Sequence, residues 1–498
     1  MSLISEKTRK FLRGRRGLQA RIAAACAGVS DIVWVHSPSY GEFEEARPVL
    51  AALRAAHPEY KFLVTFFSPS GYEHLKDDPA CDFVFYLPLD GFFAARRFLD
   101  AVRPVKAVFC IADFWLFYLN ELRRRGVPTY LVSARFNAGM TYFKFFGRPY
   151  LRAFRRCFTR IFVSNVESLE VLRAQGVCNC ALMGDPRMDR VLALAAEEWS
   201  DPVVSAWVAG SGSGSCCGSG AKVFVAGSVL LDMDAVLVSS LANAHPSDKF
   251  LVVPHEVDRA SVESLAGMFE GRVMLYSEAA SSLAGGAFAS AGASASAGAS
   301  VSTSSLVGGA VPSSSFEAGS ELFSRLGAAQ VLIVDVVGLL SRLYRYGLMA
   351  YVGAGFDGAP HSVIEPAAYG IPVCFGPEFG PVWHCQKMID AGAAFCVRSV
   401  EDLERLYATL SAPSAPTPSN PLPSVEGSPV SSVNLPLAVE GCAPSSVNLP
   451  PAVEGCAPSS VSLPPAVEGC ALRKAGEAAR AYCVAGSGAA AKIAKIID

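Results

Sequence analysis

Residues 32–56 read IVWVHSPSYGEFEEARPVLAALRAA. Ile32–Val35 is a short β-branched and aromatic run and predicts a strand. A turn containing Gly41 follows, and apolar residues then recur at helical spacing, predicting a helix over 42–56. Working outward, the same alternation continues. Strands are expected at Phe62–Phe66, Phe83–Tyr86, Ala107–Ile111, Tyr130–Ser133 and Arg160–Ser164, with helices at Phe92–Val102, Phe114–Arg125 and Val166–Ala174. The alternation restarts with strands at Lys222–Gly227, Phe250–Pro254, Val273–Tyr276, Val331–Asp335, Met349–Val352 and Val373–Phe375. Strands that alternate with helices form parallel sheets with crossover connections, so the fold class is α/β, with two Rossmann-like domains joined near residue 200. In such folds ligands bind at the carboxyl ends of the strands, and the turns after the strands are where chemistry is expected.

Three stretches break the pattern. Residues 210–220 are Gly/Ser with Cys216 and Cys217, and residues 277–320 are mostly Ser, Ala and Gly. Residues 411–471 are rich in Pro and Ser and repeat with period 14: Val430–Ala443, Pro444–Ala457 and Pro458–Ala471 align closely. That period is short for a solenoid unit and its prolines forbid helices, so a disordered insertion is expected. The expected domains are therefore 1–200, 201–410 with the low-complexity insertion 277–320, the repeats 411–471, and a closing helix over 472–498.

The chain has 498 residues and a net charge of −2, which argues against a general nucleic-acid binder. The average hides a split: residues 1–200 carry +8 and the remainder −10, so the first half suits an anionic partner. Lys7, Arg9, Lys10, Arg13, Arg15, Arg16 and Arg21 alternate with Phe11, Leu12, Leu18 and Ile22. This is either a basic helix lying on an anionic membrane surface or one packed on the domain. No apolar run reaches membrane-spanning length. The 15 cysteines lack zinc-site spacing and read as reduced thiols.

Candidate residues follow the strands. Glu42 is placed for a general base; Ser39-x-x-Glu42 also matches a capping box. Ser68, Ser70 and Gly71 suit a sugar or phosphate, or an ordinary capped turn. Asp113 with Trp115, and Arg135, lie past further strand ends. Arg152, Arg155, Arg156 and Arg160 with Tyr142, Phe143, Phe145 and Phe146 form an aromatic and basic zone, read either as suited to an amphipathic anionic partner or as a core helix with a solvated face. In the second half Ser228 and His255 each follow a strand, and Asp232-Met233-Asp234 spells DxD, a weak metal signal. Residues 351–366, YVGAGFDGAPHSVIEP, bring glycines and a helix start together. Gly353, Gly355 and Gly358 formally spell GxGxxG, but the helix is expected only near Ser362, so the dinucleotide fingerprint lacks its context. Glu365 is read either as part of a cap with Ser362 or as a ligand for ribose hydroxyls.

On these residues the chain resembles the 3-deoxy-D-manno-octulosonic acid (Kdo) transferases of lipopolysaccharide synthesis. The matching segments, in order, are His36 to Glu42 (H-x-x-S-x-G-E), Thr65 to Gly71, Asp113-Phe114-Trp115, Ser133-Ala134-Arg135, Gly184 to Asp189, Val334 to Leu340 and Gly353 to Glu365. Asp113 stands for the usual Glu, Ser68 and Ser70 for Thr, Leu339 for an acidic residue and Ser362 for Asn. The resemblance implies a GT-B fold, two Rossmann-like domains facing a central cleft. It implies inverting transfer of Kdo from CMP-Kdo to the lipid A precursor (lipid IVA), with no metal and no cofactor. Glu42 becomes the general base. Ser68, Ser70, Gly71, Asp113 and Arg135 become the acceptor side. Ser228, His255, Gly338, Gly353, Gly355, His361, Ser362 and Glu365 become the donor side. It also implies a place at the cytoplasmic face of the bacterial inner membrane, peripheral here, because the sequence starts just after the family's N-terminal membrane helix. The alternatives are a non-enzymatic membrane-associated homologue, or another GT-B nucleotide-sugar transferase or epimerase.

Overall fold

A computed structural model describes residues 6–111, 113–210, 222–288, 324–380, 382–411 and 471–498. The repeat segment, the residues from 289 to 320 and those from 211 to 220 lie outside the described residues, and so do the expectations placed on them. The chain divides into two units, the first running to Arg190 and taking up Gly486–Asp498, the second starting at Val191.

The first unit is built on seven parallel strands: β1 (Ile32–Ser37), β2 (Lys61–Phe66), β3 (Phe83–Tyr86), β4 (Lys106–Cys110), β5 (Thr129–Ala134), β6 (Arg160–Val163) and β7 (Cys180–Leu182). Their order is β3-β2-β1-β4-β5-β6-β7. The order reverses between β1 and β4, where such sheets open a crevice for ligands. Both faces are covered, which is why β1 reads as a continuous apolar run rather than an alternation. Ile32 and Trp34 enter the core on one face, with Phe98, Phe109 and Leu131. Val33 and Val35 enter the core on the other, with Phe43, Val64 and Val108.

The second unit repeats the plan with β8 (Val223–Val229), β9 (Lys249–Pro254), β10 (Val273–Leu275), β11 (Val331–Ile333), β12 (Met349–Val352), β13 (Val373–Phe375) and β14 (Ala394–Cys396). The order is β10-β11-β9-β8-β12-β13-β14, again all parallel, and reverses between β8 and β12. Phe224 and Ala226 pack on one face and Val223 and Val225 on the other.

Two details differ from the sequence reading, and a third matches one of its two alternatives. The Ser/Ala/Gly stretch from 277 opens as a helix, Tyr276–Phe288. Asp335 fixes its start by accepting the Ser277 N–H at 2.9 Å. The closing segment is two helices, Ala471–Ala485 and Ala489–Ile497, separated by Gly488 at φ +82°. The first belongs to the second unit. The last belongs to the first unit, where Ile493 and Ile497 fill the core beside Phe43 and Leu50. The N-terminal segment is packed on its own unit: Leu18, Ile22 and Cys26, spaced by four, are buried against the helix Phe92–Val102. Arg15 donates to the carbonyls of Phe67 and Leu87 and lies over Phe11 and Tyr86, and desolvation lowers its pKa to about 10. Arg9, Arg13 and Arg16 stay exposed. No helix among the described residues is long and apolar enough to cross a membrane.

Candidate active site

Around the β1/β4 reversal of the first sheet, three separate sequence motifs converge. His36 ends β1 with no solvent exposure. Its Nδ1 faces the Thr65 carbonyl at 3.0 Å, and a carbonyl can only accept, so Nδ1 carries the proton. Nε2 is then free to accept the Trp115 indole N–H at 2.8 Å; the Asp113 carboxyl lies 3.0 Å from the same nitrogen as a neighbour, with no ring proton left to donate to it. Trp34 donates to the Thr65 hydroxyl at 2.8 Å and completes the network. Phe67 packs on Trp115 with ring centres 5.1 Å apart, so the β2 turn joins as well.

Glu42 lies on the first turn of the helix Tyr40–Ala56 and is half-buried. The capping box does not form as the sequence pattern suggests. Ser39 is the N-cap without a side-chain cap bond, and its hydroxyl instead donates to the Glu42 carboxylate. That contact orients the carboxylate. The next turn is tied in by the Ser68 N–H bonding the Pro38 carbonyl at 2.9 Å. Ser68 caps the helix Pro69–Leu75 by accepting the Ser70 N–H, and the two hydroxyls lie 3.1 Å apart. Gly71 is buried against the Phe66 ring.

Arg135 follows β5, and its guanidinium meets a residue that the motif reading passed over. Glu45 is buried, accepts from Arg135 at 2.5 Å and lies 3.4 Å from Arg187, which itself pairs with the buried Asp185. Burial pushes the Glu45 carboxyl above its ordinary value, against the pull of the two arginines. The pattern Glu42-x-x-Glu45 places both carboxylates one turn apart, and that spacing was the available signal.

Around the β8/β12 reversal of the second sheet, the groups are mostly backbone. Ser228 lies in a register shift of β8 at φ +55°. Gly353 sits so close to it that a Cβ would meet the Ser228 carbonyl at 2.2 Å. Gly355 packs on Gly376, and Gly338, at φ +92°, stands in open space. His255 and His361 stack with ring centres 4.7 Å apart. Desolvation first, and His255 second, lower the His361 pKa. Glu365 accepts the Ser341 hydroxyl at 2.8 Å. The helix here begins at Ile364 with Val363 as its N-cap, so Ser362 is not the cap that its sequence position suggested. The delayed start also leaves GxGxxG without a helix to open.

The DxD triplet is structural. Asp234 is fully buried and accepts from Tyr351 Oη at 2.5 Å, the Ala354 N–H at 2.7 Å and the Leu230 N–H at 3.2 Å. It clamps the glycine loop onto the end of β8. Burial raises its pKa against these hydrogen bonds. Asp232 caps the same helix, Met233–Ala244. No cluster of three His, Cys, Asp or Glu suited to a metal occurs among the described residues.

Both sheets store backbone strain at their carboxyl ends. Ile111 after β4, Ser133 in β5, Ser228 in β8 and Ala354 after β12 all have φ between +55° and +72°. For β-branched Ile111 this is a true outlier. Strain of this kind persists where the surroundings enforce it, and it clusters at functional sites.

The family model for 3-Deoxy-D-manno-octulosonic-acid transferase (kdotransferase) matches residues 10–190. The chain is 23% identical over 377 residues to the 3-deoxy-D-manno-octulosonic acid transferase of Aquifex aeolicus, covering 74% of this chain and 83% of that one. It is 24% identical over 407 residues to the transferase of Chlamydia pneumoniae, covering 80% and 81%. Among solved structures it is similar to the C-terminal CMP-Kdo binding domain of WaaA from Acinetobacter baumannii, with 15% identity, a TM-score of 0.27, and 44% and 86% of the two chains covered.

Proposed function

We propose, for a chain that belongs to the Kdo transferase family, that it moves Kdo from CMP-Kdo to a phosphorylated lipid A precursor with inversion. The observation that carries the reading is the first-unit cluster: His36 to Glu42, Thr65 to Gly71 and Asp113 to Trp115, up to 79 residues apart in sequence, are joined by hydrogen bonds and ring contacts. In this reading the Glu42 carboxylate takes the proton from the acceptor hydroxyl as its oxygen bonds the anomeric carbon of Kdo. The bond from that carbon to the CMP phosphate oxygen breaks, and CMP leaves with the electron pair. The Ser39 hydroxyl holds Glu42 in position. His36 holds Trp115 beside Asp113 on the acceptor side, with Ser68, Ser70, Gly71 and Arg135.

The donor side falls to Ser228, His255, Gly338, Gly353, Gly355, His361, Ser362 and Glu365 of the second unit. The helices Met233–Ala244 and Arg259–Ala266 already carry Asp232 and Asp258 at their N-termini, whereas Ile364–Ala368 has no side-chain cap. The N–H groups at its start are proposed to help spread the charge of the departing nucleotide. We assign the transfer no metal and no cofactor. The place of action proposed is the cytoplasmic face of the bacterial inner membrane, with peripheral contact through the basic first unit. Incubation with CMP-Kdo and a tetraacylated lipid A precursor, read by mass spectrometry, tests the reading. Addition of Kdo mass to the lipid is expected. Absence of CMP binding together with binding of the lipid would replace it by a non-enzymatic homologue.

A further inference from the structure

Two features of the first unit converge on one side chain, Arg135. The first is a bulge in β5. Leu131 lies opposite Ile161, yet Ala134 lies opposite Val163, so β5 carries one residue more than β6 over this stretch. Ser133 lies in the bulge at φ +55°. Before it, Tyr130 and Val132 enter the core that holds Phe43, and Leu131 enters the other. The bulge breaks that alternation. Ala134 falls on the side of Leu131, so Arg135 follows on the side of Tyr130 and Val132. A regular strand would have sent it to the opposite face. The face it reaches is covered by the helix Tyr40–Ala56, and that helix presents Glu45. The second feature is this carboxylate. Among the described residues Glu45 is the one hydrogen-bond acceptor of the Arg135 guanidinium, at 2.5 Å. Exposure divides the pair: the Arg135 side chain is 29% exposed and that of Glu45 6%, so an incoming molecule meets the guanidinium and not the carboxylate. Arg187 approaches the same Glu45 oxygen at 3.4 Å but has its own anchor, a fork to Asp185 at 2.6 to 3.1 Å. Two carboxylates and two guanidinium groups make the cluster formally neutral. The second Glu45 oxygen, Oε2, is buried without a hydrogen-bond partner among the described residues. A half-paired buried carboxylate adds little stability, and fixed geometry is what it can supply.

We propose that Glu45 is a positioning residue: it aims the Arg135 guanidinium and cancels its charge, so that Arg135 meets the acceptor as a directed hydrogen-bond donor rather than as a free cation. The planar fork keeps its donors when the charge is shared with a carboxylate, which a lysine ammonium could not match in geometry. The claim rests on the reading of Arg135 as an acceptor-side residue.

The test is a double-mutant cycle in the full chain, with transfer from CMP-Kdo to the tetraacylated precursor followed at varied acceptor concentration. Glu45→Gln keeps the shape and removes the charge. It should raise the acceptor KM about tenfold, with kcat and CMP affinity nearly unchanged. In the Arg135→Ala background the same substitution should have no further effect, because Glu45 acts through Arg135. Arg135→Lys keeps the charge and loses the fork, and should behave like Arg135→Ala. Glu44→Gln removes a neighbouring carboxylate that pairs instead with Arg47 and Arg190, and should leave the acceptor KM unchanged. A second readout needs no donor: labelling of Arg135 by phenylglyoxal, read by peptide mass spectrometry, should run several-fold faster in Glu45→Gln than in the wild type and be unchanged in Glu44→Gln. Additive losses in the cycle, rescue by Arg135→Lys, or Arg135 labelling indifferent to Glu45 would each overturn the assignment. A wild type that transfers no Kdo strikes the proposed reaction instead, and the labelling then decides whether Glu45 holds Arg135. Unchanged circular dichroism separates these outcomes from unfolding.

Discussion

At the carboxyl end of the first sheet the exposed chemistry is carried by side chains: Glu42, Asp113, Trp115 and Arg135, arranged around buried His36 and Glu45. At the carboxyl end of the second it is carried by backbone: Ser228 and Ala354 at positive φ, Gly353 pressed against Ser228, and Asp234 used up in holding the loop. Two sheets that reverse strand order in the same way thus present different surfaces. A proton-transferring site needs a titratable group held at fixed geometry. A nucleotide cradle needs close backbone approach, which side chains would block.

If that division holds, substitutions should separate the two surfaces. The largest expected effect is Glu42→Ala, which should cut transfer by about 10²–10⁴-fold while CMP binding and circular dichroism stay unchanged. Near-normal turnover in that variant removes Glu42 from the chemistry. Next is Asp234→Ala, which leaves the Ala354 and Leu230 N–H groups and the Tyr351 hydroxyl without their acceptor. A cost of about 3 kcal/mol is expected, seen as a lowered urea midpoint together with weaker CMP binding, and with vesicle binding retained. Should CMP affinity survive, the glycine loop is not the cradle. Trp115→Phe removes one donor to His36 at nearly constant shape. About a tenfold fall in kcat/KM with unchanged CMP affinity would place its effect on the first sheet alone.

The smallest effect concerns buried Lys249, whose ammonium meets the carbonyls of Gly327 and Ala329 at 2.9 and 3.0 Å without a carboxylate partner in that network. Desolvation lowers its pKa from 10.5 to about 8. The unfolded chain therefore binds the proton more tightly, so stability should rise as pH climbs from about 8 toward about 10.5 and fall back on return. The urea midpoint should follow that slope in the wild type and flatten in Lys249→Met. A second-unit midpoint indifferent to pH in this window would contradict the burial argument.

Much of the architecture was legible because strands buried on both faces must be continuously apolar, as Ile32–Val35 and Phe250–Pro254 are. The strands β7 and β14 escaped notice. Each has three residues at a sheet edge, and Cys180-Ala181-Leu182 and Ala394-Phe395-Cys396 are too short to leave a periodic signal. Capping patterns misled at both Glu42 and Glu365, because an S-x-x-E spacing does not say which group donates. At Glu42 the Ser39 hydroxyl gives its hydrogen bond to the carboxylate, and at Glu365 the helix starts two residues after Ser362. The DxD triplet looked like a ligand pair because its environment was invisible; burial makes Asp234 a brace.

The sequence by itself determined two α/β halves, the order of the motifs that follow the strands and the positive bias of the first half, since these follow from local apolar runs, collinear spelling and counted charge. Only the tertiary structure decided that His36, Thr65, Asp113 and Trp115 meet and that Glu45 answers Arg135 across 90 residues. Those contacts depend on which strands lie side by side and how far each turn carries its residues, and neither quantity is written in any short stretch of the chain.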